Sequence, residues 1–432
     1  MNKDFSDNRG KLIFPIKNNF DFKQCTVSCN KKNVFRGIHI NSFKKLVTCV
    51  QGKILDIIIN FDTLADDYLV PKYYTLDPSS DLFQISIPPN YGHAFLSLEE
   101  DSILIYHLSD EYNETNTKHI HFLDPFINII LPTKLEDLLI SDKDDIKNFI
   151  KPIDYIVFGA NGFLGSSIVY FLKKFNKNFI ISELRLHEIE KIRNLLTIYS
   201  PKYIINCAGL CGTPNLFWCD THKIETIETN ITYQLTLANI CKELGIHLTI
   251  FGSAGIFNND KIYSENNKGN NFKNFYGECK IYLENIVKNY NNVLYLRINY
   301  PISDKPSNRN LLTKLLNYKI IDPCDISITY IDNLFPILLQ MMENNEVGIC
   351  NFTNPGHINL TEIIKLYNSL SNEPINFLLN NEFNINETKR SFSTLDSYML
   401  QKYNPLNIEY AVNICIKNYI SNLNNYTDRK EK

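Results

Sequence analysis

The chain has 432 residues, 44% hydrophobic and 21% charged, and its 44 Lys and Arg against 47 Asp and Glu leave a net charge of −3. That length exceeds one ordinary core and predicts two or three globular domains. The charge excludes a basic footprint for nucleic acid and a cationic face for membranes. No apolar run reaches the roughly 18 residues that span a bilayer, and the polar opening MNKDFSDNRG does not read as a secretory signal, so a cytoplasmic protein is expected. Eleven cysteines, with no C-x-x-C pair and no zinc-like spacing to histidine, point to free thiols and no metal site.

In chain order, residues 1–132 read as strands. LVTCV and ILDIIIN (46–60) flank a Gly-containing turn, and LFQISIPP, HAFLSL and SILIYHLS follow at short spacing. Short strands with regular turns and no convincing helix predict a sandwich or barrel. The charged run from 133, ending at Pro152, reads as a connector with one helix at most. From Ile153 the grammar changes: DYIVFGA, KYIINCAG and IHLTIFGSAG alternate with helical runs such as IETIETNITYQLTLANICKEL. That alternation predicts a parallel sheet covered by helices. The expected organisation is a β domain over 1–140, a linker over 141–152 and a Rossmann-type α/β domain over 153–432.

VFGANGFLGSS (157–167) places Gly159, Gly162 and Gly165 where a strand turns into a helix. Glycine lets backbone N–H groups approach a dinucleotide pyrophosphate at a helix N-terminus, so the turn, with Asn161, Phe163 and Leu164, is a candidate cofactor cradle. NCAG (206–209) follows the next strand but one, and Asn206, Ala208 and Gly209 are expected to let the cofactor lie against the sheet. FYGECK puts Tyr276 and Lys280 on one helical face. The same Y-x-x-x-K spacing occurs at Tyr68, Tyr170, Tyr398 and Tyr426, but only Tyr276 follows a strand ending in a hydroxyl, Ser253. A lysine that lowers the phenol's pKa would let Tyr276 protonate a carbonyl oxygen while Ser253 holds that oxygen.

These residues resemble the extended short-chain dehydrogenase/reductases, and more narrowly the nucleotide-rhamnose epimerase-reductases and dTDP-4-dehydrorhamnose reductases. The resemblance runs through NCAGLCGTPNLFWCDTHKIETIETN, FYGECK, LRINYPIS and GICNFTNPG. It implies that Ser253, Tyr276 and Lys280 reduce a 4-keto group on a nucleotide-linked 6-deoxy sugar. In the two-in-one members a cysteine two residues after the catalytic hydroxyl moves protons at C3 and C5. Here that place is Gly255, which cannot carry a proton, although Lys314 matches the family's second proton-transfer position.

DNRG, VFRGIHI, FKKLV, IPPNYGHAF and ILIYHLSDEY in the first half resemble the sugar-nucleotide 3,5-epimerases of the dTDP-4-dehydrorhamnose type, which are cupin jelly rolls. The resemblance implies His39 as base, oriented by Asp144, with Tyr106 returning a proton from the opposite face. It implies Arg36, Lys45 and His93 around the sugar and Arg9 on the diphosphate. The expected protein is thus a cupin epimerase fused to a reductase, converting a UDP- or dTDP-linked 4-keto-6-deoxyhexose to the L-rhamno sugar nucleotide. A 2-acetamido substrate, or a catalytically dead cupin serving only for dimerisation, are the alternatives. Arg185 favours the 2′-phosphate of NADPH, while Glu183 nearby would suit NADH, so NADPH is the expected cofactor and NADH the other option. The cupin resemblance implies a homodimer.

Overall fold

The computed structural model describes residues 5–7, 10–12, 21–63, 65–212, 216–258, 261–383 and 391–427. They form two compact units, Met1–Lys151 and Pro152–Lys432. No helix among the described residues is long and apolar enough to cross a membrane.

In the first unit β1 (Phe5–Asp7) and β2 (Gly10–Leu12) pair as a short antiparallel ribbon. The remaining strands are β3 (Gln24–Asn30), β4 (Phe35–Ile40), β5 (Lys45–Gln51), β6 (Ile54–Asn60), β7 (Pro71–Leu76), β8 (Gln84–Ile87), β9 (Tyr91–Ser97), β10 (Ser102–Leu108) and β11 (Lys118–His119). They build two antiparallel sheets ordered β3-β10-β5-β8 and β11-β4-β9-β6-β7, the sandwich that the alternating runs predict. Period-2 alternation sends Val47, Cys49, Ile54, Ile58, Phe95 and Leu104 inward, where they pack together with Tyr106.

The outer face of the five-stranded sheet is also buried. Phe35, Ile57, Ile59 and Leu96 pack there under Phe122 and Ile127, joined by Leu138, Ile140 and Ile150. This corrects the expected linker over 141–152. The Asn148 carbonyl accepts from the His121 N–H at 2.8 Å, and the Ile150 N–H donates to Asp124 Oδ2 at 2.7 Å. Residues 141–151 therefore belong to the first unit. Their charged composition hides sparse apolar anchors, and only a 3₁₀ turn, Leu135–Asp137, forms nearby.

The second unit is built on a parallel sheet of β12 (Tyr155–Phe158), β13 (Phe179–Ser182), β14 (Tyr203–Asn206), β15 (His247–Ser253), β16 (Val293–Ile298) and β17 (Gly348–Asn351), in the order β13-β12-β14-β15-β16-β17. Helices α1 (Phe163–Lys174), α2 (Ile189–Tyr199), α3 (Tyr233–Glu243), α4 (Phe275–Val287), α5 (Leu311–Asn317), α6 (Ile331–Glu343), α7 (Leu360–Leu370) and α8 (Ile408–Thr427) complete it. Residues of α1 and α6 join one cluster with the sheet, and residues of α2, α3 and α4 join another. The sheet is buried on both faces, which is why its strands read as continuous apolar runs. A third cluster gathers α5, α7 and α8.

Candidate active sites

The first site lies on the inner face of the β-sandwich. Gly37, with φ +112, sits so close to β9 that a Cβ would lie 2.4 Å from the His93 carbonyl oxygen and 2.7 Å from Ala94 Cα. Only glycine fits, and the β4–β9 register shifts here before His39 comes to stand opposite His93. His39 Nε2 lies 2.5 Å from Asp144 Oδ1, and Asp144 Oδ2 accepts from the Ser141 hydroxyl at 3.0 Å. Burial would raise the Asp144 pKa, but hydrogen bonds from His39, Ser141 and the Gly37 N–H together hold it below the usual carboxylate value.

Across the face, His93 Nε2 lies 2.8 Å from Asp56 Oδ2, both groups buried. The Tyr106 ring meets the His93 ring edge-on at 6.1 Å. Burial, reinforced by Asp56, raises the Tyr106 phenol well above its ordinary value, while Arg36 opposes the shift. Lys45 is 6% exposed, and burial lowers its pKa to about 8 against the opposing charge of Asp56. Arg36 is exposed and donates through Nε to Asn30 Oδ1 at 3.2 Å. The arrangement sets a carboxylate-oriented imidazole on the five-stranded sheet and a cation and a protonated phenol on the four-stranded sheet. Arg9 lies outside the described residues.

The second site forms where β15 ends and α4 begins. Asn274 caps α4 by accepting the Gly277 N–H at 2.8 Å, and Asp220 Oδ1 accepts the Phe275 N–H at 2.8 Å. These fix the first turn and with it Tyr276. The Ser253 side chain hydrogen-bonds to Tyr276 and opposes the effect of burial, which nevertheless raises the phenol's pKa. The expected lowering by Lys280 is corrected: its Nζ donates to the Phe251 carbonyl at 3.2 Å and lies 5.7 Å from the Tyr276 ring centre. Burial in turn lowers Lys280 to about 8. A phenol held protonated, with a hydroxyl hydrogen-bonded to it, is what proton donation to a carbonyl oxygen would need. Lys314 lies on α5 and is half-buried.

The glycine turn fits a dinucleotide. Gly159 has φ +69 and a Cβ there would meet the Ala208 N at 2.6 Å, while one at Gly165 would meet the Gly159 carbonyl oxygen at 2.2 Å. Strand, turn and helix are therefore packed as closely as backbone allows. Gly162 caps α1 without a side chain, leaving first-turn N–H groups for a phosphate. Asn161 and Gly162 are exposed there. Phe163 and Leu164 pack their side chains against the core, so only their backbone faces that role. Asn206 is corrected from a cofactor contact: it is buried, and its amide bonds Gln234 Oε1 at 2.6 Å and the Ala208 N–H at 3.0 Å. It shapes the turn that carries Ala208 and Gly209, and a Cβ on Gly209 would lie 4.0 Å from Lys280 Nζ. Glu183 and Arg185 are both exposed after β13.

Residues 155–300 match the NAD dependent epimerase/dehydratase family, and residues 3–151 match dTDP-4-dehydrorhamnose 3,5-epimerase. A bifunctional dTDP-4-dehydrorhamnose 3,5-epimerase/dTDP-4-dehydrorhamnose reductase of Arabidopsis thaliana is 32% identical over 260 residues, 57% of this chain and 86% of that protein. The chain belongs to the NAD-dependent epimerase/dehydratase family. It joins a 3,5-epimerase-type cupin domain to a 4-keto reductase-type domain, and the relatives point to bifunctional 3,5-epimerase/4-reductase chemistry of nucleotide-rhamnose synthesis. A trifunctional UDP-glucose 4,6-dehydratase/UDP-4-keto-6-deoxy-D-glucose 3,5-epimerase/UDP-4-keto-L-rhamnose-reductase from the same plant is 32% identical over 266 residues, 59% of this chain but only 40% of that protein. The crystal structure of the L780 UDP-rhamnose synthase from Acanthamoeba polyphaga mimivirus has the same fold over 62% of this chain and 100% of its own, with TM-score 0.58 and 24% identity.

Sequence reasoning missed three features. Asp56 carried a usable signal, a lone carboxylate in the apolar run ILDIIIN. His119 carried none, because only the β4–β11 register sets it opposite His39. The buried Arg297–Glu284 pair, with contacts of 2.8 and 2.6 Å, ties α4 to β16 and joins residues that nothing local connects.

Proposed function

We propose that the chain inverts C3 and C5 of a nucleotide-linked 4-keto-6-deoxyhexose in its first unit and reduces C4 in its second, giving the L-rhamno sugar nucleotide. The observation that carries this is the His39–Asp144 pair in a chain whose reductase holds glycine at 255. His39 takes the hydrogen made acidic by the C4 ketone. Lys45, protonated once an anion is near, steadies the enolate oxygen with His93, and Tyr106 returns a proton from the opposite face. NADPH, held by the glycine turn with Arg185 on its 2′-phosphate, supplies the hydride. Ser253 and Tyr276 hold the C4 oxygen, and Tyr276 gives it a proton. Lys280, next to Gly209, orients the ribose side of the site. The relatives above are named for both dTDP and UDP sugars, and we favour UDP from the trifunctional relative and L780 together. Joining the two units raises the local concentration of a labile intermediate without any new contact.

The test incubates the protein with UDP- and dTDP-4-keto-6-deoxyglucose, each with NADPH, and identifies the products. An L-rhamno product formed faster from the UDP sugar supports the reading. Reduction without inversion, leaving a D-configured 6-deoxy sugar, sinks it.

A further inference from the structure

Edge strand β11 carries a histidine that this chemistry leaves without a task. His119 stands directly opposite His39 in the β4–β11 register, so both imidazoles project from one face of the sheet. Their ring centres are 4.7 Å apart, edge to face. The His119 side chain is 16% exposed, yet neither of its ring nitrogens has a hydrogen-bond partner among the described residues. A buried imidazole normally satisfies its nitrogens. Glu114 Oε1 lies 3.4 Å from His119 Nε2 without making a hydrogen bond. Glu114 Oε2 is already engaged by the Tyr112 hydroxyl and the Lys143 ammonium, so the charge of Lys143 is balanced locally. Beyond His39 stands Asp144, its side chain 3% exposed. One ligand atom from each of His39, His119 and Asp144 lies within 4.8 Å of the others.

We propose that His39, His119 and Asp144 bind a divalent transition-metal ion of the zinc type, and that the bound ion switches the epimerase off. Two imidazoles and one carboxylate suit Zn²⁺ or Co²⁺ and suit Mg²⁺ or Ca²⁺ poorly. Metal–nitrogen bonds of about 2.0–2.1 Å set neighbouring ligands about 3.4 Å apart in a tetrahedron, so separations of up to 4.8 Å close by at most about 1.4 Å while the 2.5 Å His39–Asp144 contact opens. The His119 ring, held by no hydrogen bond, is free to make that movement. Asp144 releases His39 Nε2, the imidazole proton shifts to Nδ1, and Nε2 turns to the ion. Water completes the coordination. The switching role rests on the reading of His39 as the base; the binding site does not.

The experiment titrates the full chain with Co²⁺, follows the visible d–d absorption, and then competes with Zn²⁺. The eleven cysteines would betray themselves by thiolate-to-cobalt charge transfer in the near ultraviolet, which this site lacks. One Co²⁺ per chain, bound without that band, displaced by Zn²⁺ and weakened by at least about tenfold in His119→Asn, is the expected result. Asp144→Asn should show the same loss, which guards against a folding defect in one variant. Unchanged affinity in both variants, or a thiolate band on the tight site, overturns the proposal. In D₂O without NADPH, stoichiometric Zn²⁺ should stop deuterium entry at C3 and C5. Tight, His119-dependent binding with undiminished exchange would leave the site standing, overturn the switch, and contradict His39 as the base.

Discussion

His39 and Asp144 are 105 residues apart in the chain, and their Nε2 and Oδ1 atoms are 2.5 Å apart. A carboxylate so placed favours one tautomer of the ring and leaves the other nitrogen unprotonated, as the proposed base requires. Asp144→Asn keeps the shape but offers the ring an amide that can present either a donor or an acceptor. Deuterium entry into the 4-keto substrate should fall by roughly 10²-fold or more. A variant that exchanges at the wild-type rate would show that Asp144 does not orient the base.

Lys45 is a cation held in an unfavourable place. Its folded pKa, about 8, lies below the ordinary 10.5, so between those values the unfolded chain binds a proton that the folded chain does not. Stability therefore rises with pH through that window, and the penalty is complete below about pH 8. Lys45→Met should raise the melting temperature of the first unit at pH 7 by about 4 °C or more, with the gap closing above pH 10. The same change should cut deuterium exchange by at least about tenfold. A melting temperature that falls at pH 7 would mean that Lys45 stabilises the fold.

The second site shows what was legible beforehand. Gly159, Gly162 and Gly165, and the Tyr276–Lys280 pair, are local patterns whose spacing translates directly into a turn or a helical face. The alternation of strands and helices around them announced the parallel sheet in the same way. What depends on register between distant strands was not legible. His119 meets His39 only because β11 pairs with β4, and Asp56 reaches His93 only across β6 and β9. Residues 141–151 looked like a linker because charge dominates them, while Ile140 and Ile150 hold the ends of the segment to the sheet. The Tyr276 phenol went the other way from expectation because burial outweighs its neighbours.

Tyr276→Phe removes one hydroxyl from the reductase and nothing from the first unit. NADPH consumption should fall by at least about 10²-fold, with deuterium exchange in the absence of NADPH unchanged. A variant keeping more than half of the reductase activity would show that another group protonates the C4 oxygen.

Arg297 is buried, with Glu284 at 2.8 and 2.6 Å, and it also meets the Asn351 side chain at 3.1 Å. Because Glu284 sits one helical turn beyond Lys280 on α4, the pair anchors the helix that carries Tyr276 and Lys280. Arg297→Met strands a buried carboxylate and should cost about 3–5 kcal/mol, read as a lower denaturant midpoint for the second unit. Adding Glu284→Met should recover much of that loss. A single variant as stable as the parent would show that the charge is relieved in another way.

In the proposed scheme, inversion belongs to the first unit, at His39. The direct measurement is deuterium incorporation at C3 and C5 of UDP-4-keto-6-deoxyglucose in D₂O without NADPH, comparing wild type with His39→Ala. Incorporation is expected in the wild type, with loss by at least about 10²-fold in the variant and retained reduction of a substrate inverted beforehand by a separate epimerase. Undiminished incorporation in His39→Ala would contradict it and return the chemistry to the second unit, with Lys314 as the group to examine there.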